Sequence, residues 1–348
     1  MNSNYYFNDK NSTELKERIF QLIRGANRYI KTGNFLFKDS NLNKVLLEAV
    51  ERGVAIFVLS NIKGGENRSK CSSPDYKDET DPHIPNLHEL HRKGIHVHCN
   101  DNLHAKFLIC DGAEGLLMSA NYTPDSLSGN PESGVDLFGN ELIDMEFVFD
   151  KLFMSPDIKL SEDGKEYRYL KSEKPLPEDT FNQVGSESRL RLTAASQKQT
   201  NLAKCHVRTL YDSILDIINK AEKELTVVSW SFKNLENLPE FNKALEAAID
   251  RMVNVLIYYN NKAETKKVEI TEGQLKKLHD SNFFKQNCHP FPYNHSKCVI
   301  SEKDGILFTS NIDGWEGLLS GFEVGCLLNE NQRNKALLRI KQNIQNGK

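Results

Sequence analysis

Apolar residues fall at helical spacing soon after the polar start of the chain. Leu15, Ile19, Leu22, Ile23 and Ala26 follow the cap-like Asn11-Ser12-Thr13 and form one stripe of an amphipathic helix. The same intervals return about 195 residues later, from Leu15 to Leu210, at Leu210, Ile214, Ile217, Ile218 and Ala221. An apolar run follows each helix, Tyr29 to Phe37 and Leu225 to Phe232, and reads as a buried strand. A second helix comes next, with Leu42, Val45, Leu46, Leu47 and Val50 in one copy and Phe241, Leu245, Ala248 and Ile249 in the other. Then a strand returns, Val54, Ile56 and Val58 against Val253, Val255 and Ile257. Each copy continues through a polar loop, a short helix (85–93; 272–280) and closely spaced strands. This alternation predicts an α/β chain of two similar lobes with helices on the sheet faces. The lobes are placed at 1–150 and 201–348. The charged, Ser- and Pro-rich stretch 151–200 is expected as a partly mobile connector with one hairpin around Tyr167 to Leu170.

Composition sharpens this picture. A chain of 348 residues exceeds the roughly 250 to 300 at which single cores stop growing, which fits two halves. With 45 Lys+Arg, 48 Asp+Glu and net charge −3, a nucleic-acid site must be a local basic groove rather than a chain-wide field. No apolar run reaches the ~18 to 20 residues that span a bilayer, and the start MNSNYYFNDKNS carries no signal-peptide core. The expectation is a cytoplasmic protein without stable membrane insertion. The seven cysteines, Cys71, Cys99, Cys110, Cys205, Cys288, Cys298 and Cys326, stand singly and read as thiols in a reducing compartment.

The chemistry sits in a second duplication. The first copy reads Asn102-Leu-His104-Ala-Lys106, then Asp111, Ser119 and Asn121. The second reads Tyr293-Asn-His295-Ser-Lys297, then Glu302, Thr309, Ser310 and Asn311. His and Lys two apart on a strand share a face. Farther on, Glu132-Ser-Gly134 and Glu323-Val-Gly325 repeat an acid two before a glycine. An imidazole, an ammonium, an amide and a carboxylate, each present twice, suit one symmetric site between the halves. One neutral imidazole would attack phosphorus, and the opposite imidazolium would protonate the leaving oxygen. Lys106, Lys297, Asn121 and Asn311 would hold the phosphate oxygens, and Glu132 or Glu323 would fix a histidine tautomer.

HxKxxxxD followed by a turn and Ser-x-Asn resembles the HKD motif of the phospholipase D superfamily, and two copies resemble its pseudo-dimeric members. The first copy fits it. The second has Glu302 where aspartate is usual and a turn shorter by one residue. The resemblance implies two lobes, each a mixed β-sheet flanked by helices, related by a pseudo-two-fold axis with the active site between them. It also implies a phosphohistidine intermediate and no metal or other cofactor, with His104 taken as nucleophile and His295 as general acid, although the near-symmetry leaves the reverse assignment open. His104, Lys106, Asn121, His295, Lys297 and Asn311 are the catalytic candidates. Asp111, Ser119, Glu132, Glu302, Ser310 and Glu323 support them, with a turn carboxylate the competing reading for Asp111 and Glu302.

Other features read more plainly. His83, His88, His91, His96, His98 and Cys99 have metal-like spacing, but no second copy, and a zinc site needs four converging ligands. Trp230 and Trp315 are core residues or, for Trp315, a surface for a base or a lipid. Lys63, Arg68 and Lys70, with Lys262, Lys266 and Lys267, are cleft-rim or solvated loop cations. The superfamily contains nucleases, phospholipases and synthases, so the motif gives reaction type and not substrate. Polar loops with Lys and Asn near the motifs favour nucleic acid, DNA ahead of RNA, and an endonuclease; a role in bacterial defence is compatible. A soluble phospholipase or phosphatidyltransferase, and a non-catalytic phosphate-binding module of a larger complex, are the competing readings. With both half-sites in one chain, a monomer suffices for catalysis, and partner proteins are neither required nor excluded.

Overall fold

The computed structural model describes residues 4–61, 82–163, 166–171, 174–279 and 281–346. The first lobe runs β1 (Tyr5–Asp9), β2 (Ser12–Thr13), α1 (Glu14–Gly25), β3 (Tyr29–Gly33), α2 (Ser40–Glu51), β4 (Ala55–Ser60), α3 (His83–Arg92) and β5 (His96–Cys99). It continues with β6 (Phe107–Cys110), β7 (Glu114–Met118), α4 (Pro124–Ser128), β8 (Glu132–Leu137), α5 (Asn140–Met154), β9 (Ile158–Asp163) and β10 (Glu166–Lys171). The second lobe runs β11 (Leu190–Ala195), β12 (His206–Val207), α6 (Thr209–Lys220), β13 (Glu224–Ser229), β14 (Phe232–Lys233), α7 (Pro239–Asp250) and β15 (Asn254–Tyr259). Then come α8 (Thr265–Leu275), α9 (Ser281–Asn287), β16 (Cys288–Pro290), β17 (Cys298–Ser301), β18 (Gly305–Phe308), β19 (Ile312–Asp313), β20 (Gly321–Leu327) and α10 (Glu330–Asn346).

The duplication in the sequence becomes a duplication of sheets. One sheet has the order β10-β9-β5-β4-β3-β6-β7-β8-β1-β2 and the other β12-β11-β20-β18-β17-β13-β15-β16. Both contain one series, parallel strands on one flank (β5-β4-β3; β16-β15-β13) and antiparallel strands on the other (β6-β7-β8-β1; β17-β18-β20-β11). The stripes foreseen in the sequence pack outside: Leu15, Ile19, Leu22 and Ile23 of α1, and Leu210, Ile214, Ile217 and Ile218 of α6, join the outer core of their own lobe. A third core lies between the sheets and holds Phe107, Val135, Leu192, Val324 and Phe322, together with Val148 and Phe149 of α5 and Ile340 of α10. The lobes are therefore joined by a continuous apolar interior, and the site is built at its edge.

Three sequence expectations change. Thr13 stands at the N-terminus of α1 but its side chain makes no cap; Asn8, on β1, accepts from Leu15 N–H at 3.0 Å and Lys16 N–H at 3.2 Å instead. The stretch 151–200 is largely built into both lobes. The β9–β10 hairpin extends the first sheet, β11 pairs along its whole length with β20, and Phe181 is buried in the shared core. Third, the His-x-Lys segments precede β6 and β17 rather than lying within them.

Candidate active site

Each of these segments is extended and leans on the other lobe. His104 and Ala105 N–H both donate to Phe322 O at 3.1 Å, while His295 and Ser296 N–H donate to Pro131 O at 2.9 and 3.0 Å. Backbone bonds thus carry each histidine across the seam, to where the opposite lobe's glutamate stands at or near the start of a strand.

The two imidazoles are held crosswise. His104 Nδ1 lies 2.7 Å from Glu323 Oε1, and His295 Nδ1 lies 2.9 Å from Glu132 Oε1. Behind each glutamate a hydroxyl occupies the second oxygen: Ser119 Oγ donates to Glu132, and Thr309 Oγ1 donates to Glu323 Oε2 at 2.5 Å. Glu323, hydrogen-bonded to His104 Nδ1, keeps the proton there and leaves Nε2 as the nitrogen that can react, while Glu132 stands against His295 at ion-pair distance. Both glutamates are almost fully buried. Burial raises their pKa, but the facing imidazole and the lysines outweigh it and hold both below the ordinary carboxylate range.

Lys106 and Lys297 are completely buried, each bonded to the carbonyl of its own motif histidine, His104 O for Lys106 and His295 O, at 2.6 Å, for Lys297. Burial pulls Lys106 down to about 7 and Lys297 to about 8, against the glutamates that raise them. Burial likewise pulls His104 to about 4, against Glu323, and lowers His295 against Glu132. An anion placed here would stabilise every one of these cationic forms. The amide oxygens of Asn121 and Asn311 are buried without a hydrogen-bond partner.

The supporting residues sort themselves by contact. Asp111 accepts backbone N–H bonds from Asn27 and Arg28 at 2.8 Å and Tyr29 at 2.9 Å, and Glu302 accepts from Glu222 at 2.9 Å and Glu224 at 3.2 Å. Both clamp the turn that leads into the neighbouring strand, away from the histidines, and the longer Glu302 side chain makes the same kind of clamp. Ser310 donates to Asn311 O at 2.5 Å and does not reach the glutamate. Thr309 is the counterpart of Ser119.

The sequence reading places Trp230 in the core, whereas it is only partly buried, and misses two groups. Phe35 packs edge-on to His104 and Trp230 edge-on to His295, with ring centroids 5.1 and 6.1 Å apart. Each aromatic stands just past the end of the equivalent strand, β3 or β13, and that repeat was available as a signal. The second group is a buried chain of hydroxyls across the seam, Tyr5 OH to Ser133 Oγ at 2.6 Å and on to Ser296 Oγ at 2.5 Å. The histidine series makes other bonds: His83 bridges Phe37 N–H and Asn61 O, and His98 Nδ1 meets Phe153 O at 2.7 Å. Among the described residues no group of three His, Cys, Asp or Glu side chains is arranged to hold a metal. The six described cysteines are buried and unpaired. Lys267 Nζ lies 5.5 Å from the Trp230 ring centroid. Lys63, Arg68, Lys70 and Cys71 lie outside the described residues.

Comparison with known proteins agrees with this architecture. Residues 19–151 match the family model described as cardiolipin synthase, PLD-like domain. No curated protein matches the chain. Phosphatidylserine synthase of Haemophilus influenzae Rd KW20 shares the fold with a TM-score of 0.62 at 14% identity, over 98% of this chain and 85% of that one. Polyphosphate kinase from Porphyromonas gingivalis shares it with a TM-score of 0.58 at 10% identity, over 99% of this chain and 50% of its own. Nuc from Salmonella typhimurium, a phospholipase D family member, matches 49% of this chain and all of its own length at 16% identity, with a TM-score of 0.37. Over residues 19–151 the chain is therefore similar to the phospholipase D superfamily, and its whole length shares the fold of the two longer structures. No helix among the described residues is long and apolar enough to cross a membrane.

Proposed function

We propose that this protein cleaves phosphodiester bonds through a phosphohistidine, with nucleic acid as its substrate. The observation that carries the chemistry is the crosswise pairing of His104 with Glu323 and His295 with Glu132. His104 Nε2 attacks phosphorus as the bond from phosphorus to the leaving oxygen breaks, and His295, protonated, gives its proton to that oxygen. His295 then takes a proton from water, whose oxygen displaces His104 and releases a phosphomonoester. Lys106 and Lys297 neutralise the transferring group, and the amides of Asn121 and Asn311 orient it. Burial lowers the histidines and lysines, and a bound phosphodiester anion would raise them, so His295 becomes a more competent acid with substrate in place.

The cavity that opens on the His104 side supports nucleic acid over lipid. It has a volume of about 550 Å³, and Asn61, Asn102, Ser196 and Gln197 line it beside Phe35, Leu103 and Trp315, so that it offers hydrogen-bonding groups for a sugar or base edge next to flat apolar faces. The test is incubation in EDTA with plasmid DNA, single-stranded DNA, RNA and phosphatidylcholine vesicles, beside His104→Ala and His295→Ala. Cleavage of nucleic acid that survives chelation and vanishes in both variants is expected. Vesicle hydrolysis alone would transfer the assignment to lipid, and tight anion binding without turnover would leave a phosphate-binding module.

A further inference from the structure

The two histidines are nearly symmetric, but the space before them is not. The cavity touches His104, Glu323 and Asn311, and part of its wall is the loop between β19 and β20. On that loop Trp315, one of two tryptophans in the chain, is 61% exposed. The loop that follows Asn121 in the first lobe offers no counterpart, since Tyr122 there is buried and bonded to Thr32 at 2.9 Å.

Trp315 is held ready. Its backbone N–H donates to Asp313 Oδ1 at 2.9 Å, Asn234 Nδ2 donates to the same oxygen at 2.8 Å, and Gly314 N–H donates to Lys233 O at 3.1 Å. The short parallel ribbon of β14 and β19 anchors these bonds. Gly317, at φ +97, folds the loop back onto the second motif, and a Cβ there would stand 2.4 Å from Ser310 Oγ. An exposed indole on an anchored loop loses little freedom when a flat ring stacks on it. The charges around it are mixed, Lys198 and Lys233 against Asp101, Asp313 and Glu316. A second phosphate would meet carboxylates here, and an acyl chain would meet polar groups. A neutral planar ring with donors and acceptors on its edge suits both the face and the rim.

We propose that this cavity is a nucleoside subsite, in which Trp315 stacks the base of the nucleotide esterified to the scissile phosphate. The substrate is then an unpaired strand, because a base inside a duplex is already stacked and must be extruded before it can reach the indole. The proposal rests on the nuclease reading and narrows it to single-stranded substrate.

Two measurements test it. In the first, p-nitrophenol release is compared for thymidine 5′-(p-nitrophenyl phosphate) and methyl p-nitrophenyl phosphate. Trp315→Ala should reduce kcat/KM for the thymidine ester by about 5- to 100-fold, mainly through KM, and Trp315→Phe should restore most of it. Turnover of the methyl ester should not change. Equal loss on both esters, or no loss on either, overturns the proposal while leaving the phosphodiester chemistry intact. The second needs no turnover. In Trp230→Phe the only indole is Trp315, and dithymidine phosphate should quench its fluorescence saturably. Absence of quenching up to millimolar ligand overturns the subsite; saturable quenching in a protein that turns over neither ester upholds the subsite and overturns the catalytic reading instead.

Discussion

Replacing Glu323 by Gln isolates the work done by one carboxylate on one imidazole. Glu323 Oε1 sits 2.7 Å from His104 Nδ1, while its other oxygen is engaged by Thr309. The amide preserves shape and volume but removes the charge, and it can offer N–H to Nδ1. That would turn the ring to the tautomer whose Nε2 carries a proton and cannot attack. When His104 forms its bond to phosphorus the imidazole becomes cationic. A unit charge about 4 Å from a carboxylate is stabilised by about 4 kcal/mol at an effective dielectric near 20. Allowing for incomplete charge at the transition state, about 3–4 kcal/mol is lost, a slowing of roughly 10²- to 10³-fold. The assay is a pre-steady-state burst with methyl p-nitrophenyl phosphate, whose leaving group needs no proton. Glu323→Gln should slow the burst itself. Glu132→Gln, which acts on His295, should leave the burst fast and slow the later steady state. Glu323 raises the pKa of His104, so its loss should also move the acid limb of the pH profile downward. A burst slowed less than tenfold, or slowed more by Glu132→Gln than by Glu323→Gln, would refute the assignment of His104 as nucleophile under Glu323 control.

Three further outcomes follow from the same geometry. Burial lowers Lys106 to about 7 and Lys297 to about 8, so both lose charge as pH rises through that range. Dimethyl phosphate, which stays a monoanion, should therefore bind about tenfold more tightly at pH 6 than at pH 9 by calorimetry, and a flat or opposite trend would contradict this. Asp111→Ala should lower stability in urea by about 1–3 kcal/mol, by freeing the amides of Asn27, Arg28 and Tyr29, with little change in kcat. Ser133→Ala should cost about 1–3 kcal/mol by stripping a partner from both Tyr5 and Ser296. Adding Ser296→Ala and Tyr5→Phe should recover part of that loss, because the hydroxyls left unpaired are then gone as well.

Much of this site was legible in the chain because duplication turns weak signals into strong ones. A lone histidine before an apolar strand says little; His104 and His295 in one register with Lys, Asn and Glu say where two halves meet. The glutamate contacts were foreseen, but the residues alone did not say which histidine each would hold, since that depends on how the lobes dock. Ser310 and Thr309 are adjacent hydroxyls with equal chemistry, and only strand register decides that Thr309 reaches Glu323. The strand β11 was hidden for a different reason. Leu190, Leu192 and Ala194 alternate inward as a strand should, but they lie amid charged and serine-rich neighbours that read as a connector. Its partner β20 is distant in sequence, so its pairing left no local mark. Likewise the cap of α1 comes from Asn8 on a strand the apolar pattern did not reveal.

The wiring across the seam sets how far the halves can drift apart. Two positions whose partners lie in their own lobe differ between the copies, Asp111 against Glu302 and Ser119 against Thr309. Those whose partner lies across it behave otherwise. His and Glu are identical in both, and Ser133 and Ser296, bonded to one another, correspond to Val324 and Ala105 in the other copy, a hydroxyl pair against an apolar pair. Neither half can be exchanged for a foreign one by matching its own motif; a chimera works only if the incoming lobe carries the glutamate and small side chains that the resident lobe's histidine segment requires.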